Sequence, residues 1–229
     1  MKKIILIIST LLLTGCASTL DSRRGHAPQP TSLISASESV GSTATSPVLL
    51  RIFKESKELE LWRRTSNGRY ALVKTYNICA YSGSLGPKLR QGDGQAPEGF
   101  YSIGPAQLNY ESIRFVSLNT GFPNAFDRAN GRSGSALMIH GGCDSAGCYA
   151  IEDQPAQEVF TAVRDSLKAG QKSVQLQIYP FRMSSWNLNS YRQNKNISFW
   201  QQLKIGYDKF ESTHQPLDVT VENKHYVIR

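Results

Sequence analysis

The chain has 229 residues, of which 26 are Lys or Arg and 18 are Asp or Glu, giving a formal net charge of +8. It contains no internal repeat, no nucleic-acid-binding motif and no glycine loop between a strand and a helix, so we expect no nucleic-acid partner and no metal or organic cofactor. Without residues 1–15, which contain Lys2 and Lys3, the chain has 24 basic and 18 acidic residues. This positive balance suits an anionic cell envelope.

The first residues are typical of a bacterial export signal. Two lysines follow Met1, and Ile4 to Leu13 is an apolar run too short to span a membrane. The run leads into Leu13-Thr14-Gly15-Cys16, which resembles a lipobox. We therefore predict a signal peptide over residues 1–15 and lipid attachment at Cys16, the alternative being a plain secretory signal with an incidental cysteine. By analogy, Ala17 rather than aspartate would direct such a lipoprotein to the outer membrane of a Gram-negative cell.

Residues 17–47 are rich in Ser, Thr, Gly and Pro and poor in bulky apolar side chains. Such a segment buries too little surface to offset the entropy of ordering it. We therefore predict that residues 16–47 form a flexible tether behind the lipidated cysteine, with His26 inert in it. Residues 48–229 are long enough for one catalytic domain with its own core.

The domain begins with a pattern of short strands. Val48 to Phe53 and Leu59 to Arg64 read as strands, and Asn67-Gly68 predicts a hairpin turn before the next strand. Residues 82–99 are crowded with Gly and Pro and predict a long ordered loop. Further strands are predicted at residues 70–79, 100–103, 113–118 and 174–179, and a hairpin around Asn223 at 217–221 and 226–228.

Two amphipathic helices interrupt the strands. Asp153 is a suitable cap for the first, whose apolar positions share one face and which Gly170 ends. The second runs from about Asn196 to Phe210. The pattern as a whole predicts a β-rich α+β domain.

The rest of the chain is organised around the segment that follows the apolar run Ala136 to Ile139. This run predicts a buried strand that ends at His140, and Gly141 and Gly142 then break it. Cys148 lies eight residues after His140. Because a thiol becomes nucleophilic when a neighbouring base takes its proton, the pair predicts Cys148 as nucleophile and His140 as proton acceptor and donor.

Other residues of the segment can support this chemistry. Gly147 permits close approach to a substrate carbonyl, and the backbone amides of Gly147 and Cys148 could form an oxyanion hole. Ser145 is a candidate for a hydrogen bond inside the site. No acidic residue is clearly placed to orient His140, and a loop carbonyl after it could do so. Arg128 and Arg132, in a polar loop, could bind a substrate carboxylate or be solvated loop charges.

The residues leave other interpretations open. His140 and Cys148 could be a core histidine and an inert buried thiol. Cys143 and Cys148 could form a disulfide. Cys143 and Cys148 could also join His140 and Cys79 in a structural zinc site, although their spacing is looser than that of most zinc knuckles.

The segment resembles the active-site signature of the YkuD-type L,D-transpeptidases, which are cysteine enzymes of bacterial peptidoglycan. The similarity rests on His140-Gly141 and on Ser145 to Cys148, and it is greatest to the YafK-like branch. It extends from about Val73 to the C-terminus through further matching stretches, namely residues 81–88, 91–101, 121–128, 180–183 and 199–208. The chain departs from the wider family in having Ala146 where a second histidine usually stands and a shorter spacer before Cys148.

The resemblance implies a YkuD-like mixed-sheet β-sandwich and attack of Cys148 on the L-centre of diaminopimelate in peptidoglycan stem peptides. The YafK-like branch includes an enzyme that detaches the major murein-bound lipoprotein, so a murein amidase-like hydrolysis is favoured. Cross-link formation or lipoprotein attachment is the alternative, and a murein-binding protein without activity is a further one. In an oxidising envelope we also expect Cys79 to pair with Cys143.

Overall fold

A computed structural model describes residues 23–229. They adopt an α+β fold with two five-stranded sheets and a two-stranded hairpin. We number strands and helices in chain order. Sheet A consists, in spatial order, of β3 (Tyr70–Asn77), β2 (Glu58–Arg64), β1 (Val48–Phe53), β10 (Val174–Tyr179) and β5 (Gly99–Ile103). Its neighbours are antiparallel except for β1 and β10, which are parallel.

Sheet B is built from much shorter strands and carries the residues of interest. Its spatial order is β4 (Ala80–Tyr81), β9 (Tyr149–Ala150), β8 (Met138–His140), β7 (Ser117–Asn119) and β6 (Leu108–Asn109). Strands β8 and β9 are parallel, whereas the other neighbouring strands of sheet B are antiparallel. The C-terminal hairpin consists of β11 (Val219–Glu222) and β12 (His225–Ile228).

Both faces of sheet A are buried, each against a different core. The side chains of a strand alternate between the two faces of its sheet, so β1 contributes to both cores. Leu50 and Ile52 of β1 join the core that also holds Ile139 of sheet B. Leu49 and Phe53 point into a second, aromatic core. The helices are α1 (Arg23–His26), α2 (Thr31–Ser39), α3 (Ala125–Ala129), α4 (Asp153–Lys168), α5 (Ser185–Ser190) and α6 (Ile197–Thr213). Helix α4 contributes to the first core and α6 to the second.

The predicted mixed α+β architecture is confirmed, with small shifts at element ends. The hairpin around Asn67-Gly68, strand β10, the C-terminal hairpin and both amphipathic helices are present. Glu152 rather than Asp153 is the N-cap of α4. The strand predicted for residues 113–118 is wrong over most of its length, since regular pairing begins only at Ser117. Phe115 has a φ of 75° there, which interrupts an extended conformation.

The flexible tether predicted for residues 16–47 is wrong for residues 23–47, which are packed against the domain. Leu33 of α2 is fully buried in the first core. Gln29 accepts a hydrogen bond from Arg63 at 2.9 Å. Arg164 of α4 donates to the carbonyl oxygens of Gly25 and Ala27 at 2.8 and 2.7 Å. The burial of Leu33 and the hydrogen bonds from Arg63 and Arg164 thus order this segment, although its polar composition predicts disorder.

Residues 1–22, which include the predicted signal peptide and Cys16, lie outside the described residues. Within residues 23–229 no helix is both long and apolar enough to span a membrane. His26, predicted to be inert, stacks on the ring of Tyr110 with 4.8 Å between ring centroids. The first described residues therefore contact the segment that leads into β7.

The predicted loop over residues 82–99 is ordered by a buried charge. Lys54, the residue after β1, is fully buried and pairs with Glu98 at 3.0 Å. Burial lowers the pKa of Lys54, and the charge of Glu98 opposes that effect. Glu98 also accepts a hydrogen bond from Trp200 of α6 at 2.8 Å. Lys54 donates further hydrogen bonds to the carbonyl oxygens of Ser84, Gly86 and Ala96.

Candidate active site

A cavity of about 480 Å³ opens over sheet B. Its walls come from residues 109–117, from β8 and from the loop before β9. The lining residues are Asn109, Glu111, Ser112, Ile113, Arg114, Ser117, Met138, His140, Asp144, Ser145, Ala146 and Cys148. His140 and Cys148, singled out from the sequence, therefore line the same cavity.

The strand register explains how the two side chains reach one side of sheet B. Strand β8 pairs with β9 so that His140 lies beside Ala150 and Ile139 beside Tyr149. Cys148 directly precedes β9, and the amide of Met138 donates to its sulfur at 3.4 Å. Because alternate residues of a strand share a face, Met138 and His140 point the same way. The sulfur is thus held beside the strand that ends in the histidine.

The backbone fixes the ring of His140. Its Nδ1 atom lies 2.6 Å from the carbonyl oxygen of Gly141. A carbonyl oxygen can only accept a hydrogen bond, so Nδ1 carries the proton in the neutral ring and Nε2 is the basic nitrogen. The loop carbonyl considered from the sequence is therefore present, and His140 is oriented without an acidic side chain.

Cys148 is the one free cysteine of residues 23–229, and its side chain is half-buried. Burial raises the pKa of its thiol above the ordinary value. The amide of Met138 and the positive charges of Arg114 and Lys88 act in the opposite direction, but burial is the largest effect. Burial therefore favours the thiol over the thiolate, so the sulfur needs a base to become a nucleophile.

Gly141 makes the turn after His140 possible. A Cβ atom at this position would lie 2.6 Å from Oδ1 of Asp153 and 2.8 Å from Cβ of Phe115. Gly142 follows with a φ of 74°, and its amide donates to Asp153 at 2.8 Å. The first turn of α4 thereby holds the end of β8 in place. Strand β8 therefore ends at His140, where the sequence predicts that Gly141 and Gly142 break it.

The other end of the loop, Ser145 to Cys148, carries the glycine and the amides considered for an oxyanion hole. Gly147 has a φ of 112°, a conformation that favours glycine. Ser145 donates from Oγ to the carbonyl oxygen of Cys148 at 2.7 Å, so it does form a hydrogen bond within the site. Within residues 23–229 no backbone group accepts from the amides of Gly147 and Cys148. Their use as an oxyanion hole stays a prediction.

A disulfide joins Cys79 to Cys143, which confirms the expected pairing. It ties the loop between β8 and β9 to the residue before β4. A bridge between Cys143 and Cys148 is therefore wrong. The zinc site is wrong as well, because two of its four proposed ligands form the disulfide. In the part of the chain that the structure describes, the same two sulfurs and Glu152 form the only cluster with metal-ligand spacing.

Arg128 and Arg132 do not line the cavity, which corrects their proposed role in binding a substrate carboxylate. Arg132 pairs with the buried Asp127 at 2.9 Å and lies over the ring of Phe199. Arg128 donates to the carbonyl oxygen of Pro123. Arg132 thus neutralises the buried carboxylate of Asp127, which accepts a hydrogen bond from the amide of Asn124, the N-cap of α3.

The cavity instead holds three charged residues that the sequence did not single out. Arg114 and Asp144 form an ion pair in its wall, and Glu111 lies nearby in the same lining. Asp144 lies inside the stretch around Cys148, so its position in the sequence indicates that it is near the site. The sequence has no such indication for Arg114, because it lies in a segment predicted to be a strand.

Comparisons with known proteins identify close relatives of the chain. No protein-family model matches it. It is 45% identical to "Putative L,D-transpeptidase YafK" of Escherichia coli K12 over 230 residues, which cover 100% of this chain and 91% of the relative. The protein of the same name from Escherichia coli O157:H7 matches equally.

Two solved structures resemble the fold more distantly. The helical cell shape determining protein Pgp2 from Campylobacter jejuni is 16% identical, with a TM-score of 0.48 and 86% of each chain covered. Bd1075 from Bdellovibrio bacteriovorus is 18% identical, with a TM-score of 0.39 and 81% of this chain and 85% of that one covered. Similarity at this level carries no inference about the site.

Proposed function

The chain belongs to the YafK family, and on that premise we propose that it is a cysteine-dependent enzyme of bacterial peptidoglycan that works in the cell envelope. The observation that carries the proposal is the cavity that holds Cys148 together with a histidine of fixed orientation. The signature from His140 to Cys148 also supports membership of the wider YkuD-type L,D-transpeptidases.

The proposed reaction is acyl transfer through a thioester. Nε2 of His140 takes the proton of Cys148 as the sulfur attacks the carbonyl at the L-centre of diaminopimelate. The amides of Gly147 and Cys148 stabilise the negative charge that develops on the carbonyl oxygen. The intermediate collapses, His140 returns the proton to the leaving amine, and the stem peptide stays on the sulfur as a thioester.

We favour water as the group that resolves the thioester. Ala146 lines the cavity and is exposed, where the wider family carries a histidine. Its small side chain leaves the acyl group open to solvent. Hydrolysis at this bond would release a murein-bound lipoprotein whose terminal lysine is joined to diaminopimelate. Alanine in place of this histidine changes the activation free energy of the step that resolves the thioester by only about 1–3 kcal/mol.

Transfer to an amine is the second candidate, and the name of the YafK relatives favours it. An amine from another stem peptide would then form a cross-link, and the amine of a lipoprotein would attach that protein. A murein-binding role without catalysis is the third. The presence of both His140 and Cys148 in one cavity speaks against it.

The direction of the reaction can be tested with two substrates. The purified protein is incubated with lipoprotein-bearing sacculi and, separately, with tetrapeptide muropeptides, and the products are identified by mass spectrometry. We expect free lipoprotein from the first and no dimers from the second. Cross-linked dimers from the second would reverse the assignment, and Cys148→Ala serves as the inactive control for both.

The envelope location includes a proposed lipid anchor on the outer membrane at Cys16. The export signal and lipobox support it. Metabolic labelling with a fatty acid, followed by membrane fractionation, tests it with Cys16→Ser as the control. A wild-type protein without label would overturn the anchor and leave the proposed chemistry untouched.

A further inference from the structure

Two opposite charges lie in the wall of the cavity and have no part in the chemistry proposed above. Arg114 and Asp144 come from the two segments that flank the opening, and the guanidinium donates to the carboxylate. Their side chains are 47% and 61% exposed. An ion pair this accessible adds little to stability, so its members can exchange partners at low cost.

The backbone holds Arg114 at a fixed place beside the reacting groups. Its carbonyl oxygen accepts from the amide of Gly141 at 3.1 Å, and its own amide donates to Oγ of Ser112 at 3.1 Å. The residue is therefore tied directly to the turn after His140. Its positive charge also reaches the sulfur, because it opposes the effect of burial on the pKa of Cys148.

The cavity offers charges of both signs. Glu111 lines it together with Asp144, so two carboxylates accompany the guanidinium of Arg114. A ligand with only a carboxylate would match Arg114 and leave the acidic groups unpaired. A ligand that carries a carboxylate and an ammonium group on one carbon matches both signs.

Resting on the proposed function, we infer that Arg114 and Asp144 recognise the free amino-acid end of the diaminopimelate side chain. The carboxylate of that end pairs with the planar guanidinium of Arg114 through two hydrogen bonds. Its ammonium group pairs with Asp144. One internal ion pair is thereby replaced by two with the substrate, and the L-centre carbonyl at the other end of the same residue is presented to Cys148.

This assignment gives the pair a role in specificity. A stem peptide with lysine in place of diaminopimelate has the ammonium group and lacks the carboxylate. It would keep the contact with Asp144 and lose the one with Arg114. The enzyme therefore selects diaminopimelate-type over lysine-type stem peptides by a charge that lies away from the scissile bond.

The test uses the full protein, a synthetic tetrapeptide that ends in diaminopimelate and D-alanine, and three modified forms. These carry an amide on the side-chain carboxyl of diaminopimelate, an acetyl group on its amine, or an amide on the D-alanine carboxyl. We expect Arg114→Gln to raise KM for the parent about tenfold or more, which corresponds to about 1.4 kcal/mol. It should cause no further rise for the diaminopimelate amide.

Asp144→Asn should behave in the same way with the acetylated peptide, whereas Arg90→Gln, an exposed arginine outside the cavity, should change nothing. If the ion pair were only structural, both variants would impair all four peptides equally. If the effect of Arg114→Gln vanished with the D-alanine amide, Arg114 would bind the leaving residue. Either result overturns the inference.

Failure of the proposed function gives a different result. In that case the wild-type protein turns over none of the four peptides. Binding of the same peptides to Cys148→Ala, measured by calorimetry, then still tests recognition. Equal affinity for the parent and the diaminopimelate amide would overturn the assignment of Arg114 independently of turnover.

Discussion

Nδ1 of His140 lies 2.6 Å from the carbonyl oxygen of Gly141, the next residue in the chain. Catalytic histidines are commonly oriented by a carboxylate, which also stabilises the protonated ring. Here a neutral peptide carbonyl fixes the tautomer, and the turn that aims it depends on the absence of a side chain at Gly141. The base is thus positioned by the backbone of its own loop.

The first prediction concerns the two reacting residues. Cys148→Ser should abolish activity without loss of folding, because a serine hydroxyl is far less ionised than a thiol near neutral pH. His140→Ala should reduce kcat about 10²–10⁴-fold, the usual contribution of a positioned general base. Turnover of muropeptides measures the activity of each variant, and near-UV circular dichroism measures whether it is folded. Wild-type turnover by either variant would refute the assignment.

The second prediction is a pH dependence. Burial raises the pKa of Cys148, so the thiolate fraction is small at neutral pH and grows as pH rises. The rate of alkylation by a small neutral reagent should therefore titrate above the range of an ordinary cysteine. Arg114→Gln should move the midpoint higher still, since the positive charge that favours the thiolate is lost. A midpoint near neutrality would instead indicate a thiolate paired with protonated His140.

The third prediction concerns the disulfide between Cys79 and Cys143. Replacing both by serine should lower the free energy of unfolding by about 2–4 kcal/mol, because the unfolded chain loses a cross-link that spans many residues. Activity should fall too, since the bridge braces the loop between His140 and Cys148. Urea unfolding with and without reductant measures the change. Reductant should destabilise the wild type and leave the double variant unaffected.

The fourth prediction tests the packing of the N-terminal segment. Leu33 is fully buried, so Leu33→Ala should lower the free energy of unfolding by about 2–5 kcal/mol. Leu89→Ala is the matched control, because Leu89 is 57% exposed, and it should cost less than about 0.5 kcal/mol. Equal, small effects of the two would mean that residues 23–47 are a free tether after all.

The fifth prediction concerns the buried pair of Lys54 and Glu98. Glu98→Gln leaves a buried ammonium group without its carboxylate, which should destabilise the fold by about 3–5 kcal/mol. It should also loosen residues 82–99, whose carbonyl oxygens Lys54 binds. Hydrogen exchange across that loop is the measurement, with the exposed Glu38→Gln as the control. Unchanged protection of the loop would show that the pair of Lys54 and Glu98 does not order it.

The sequence predicted those parts of the fold that depend on local patterns. Strand β10 and helix α4 have clear apolar periods. Asn67-Gly68 predicts the hairpin turn between β2 and β3, because Asn and Gly tolerate the positive φ that such a turn needs. Strand β9 has only two residues, too few to show a period. It forms because the parallel register with β8 and the disulfide hold the chain there.

The parts that the sequence did not predict depend on contacts between distant residues. Residues 23–47 look like a tether because their partners, Arg63 and Arg164, lie far along the chain. From the sequence Arg132 is a candidate for substrate binding, because a polar loop does not indicate that Asp127 of the same loop is buried and pairs with it. Within the site, the spacing of His140 and Cys148 indicated the chemistry. Asp144 lies in the same stretch of sequence, whereas Glu111 and Arg114 are placed beside it only by the path of residues 109–117.

The proposed mechanism requires a thioester on Cys148, which rapid quenching followed by intact-mass measurement would detect. Wild-type protein mixed with a diaminopimelate-containing stem peptide should gain the mass of the donor peptide without its leaving residue. Peptide mapping should place that mass on Cys148, and Cys148→Ala should show neither adduct nor product. Product formation by Cys148→Ala, or an adduct on another residue, would contradict the mechanism.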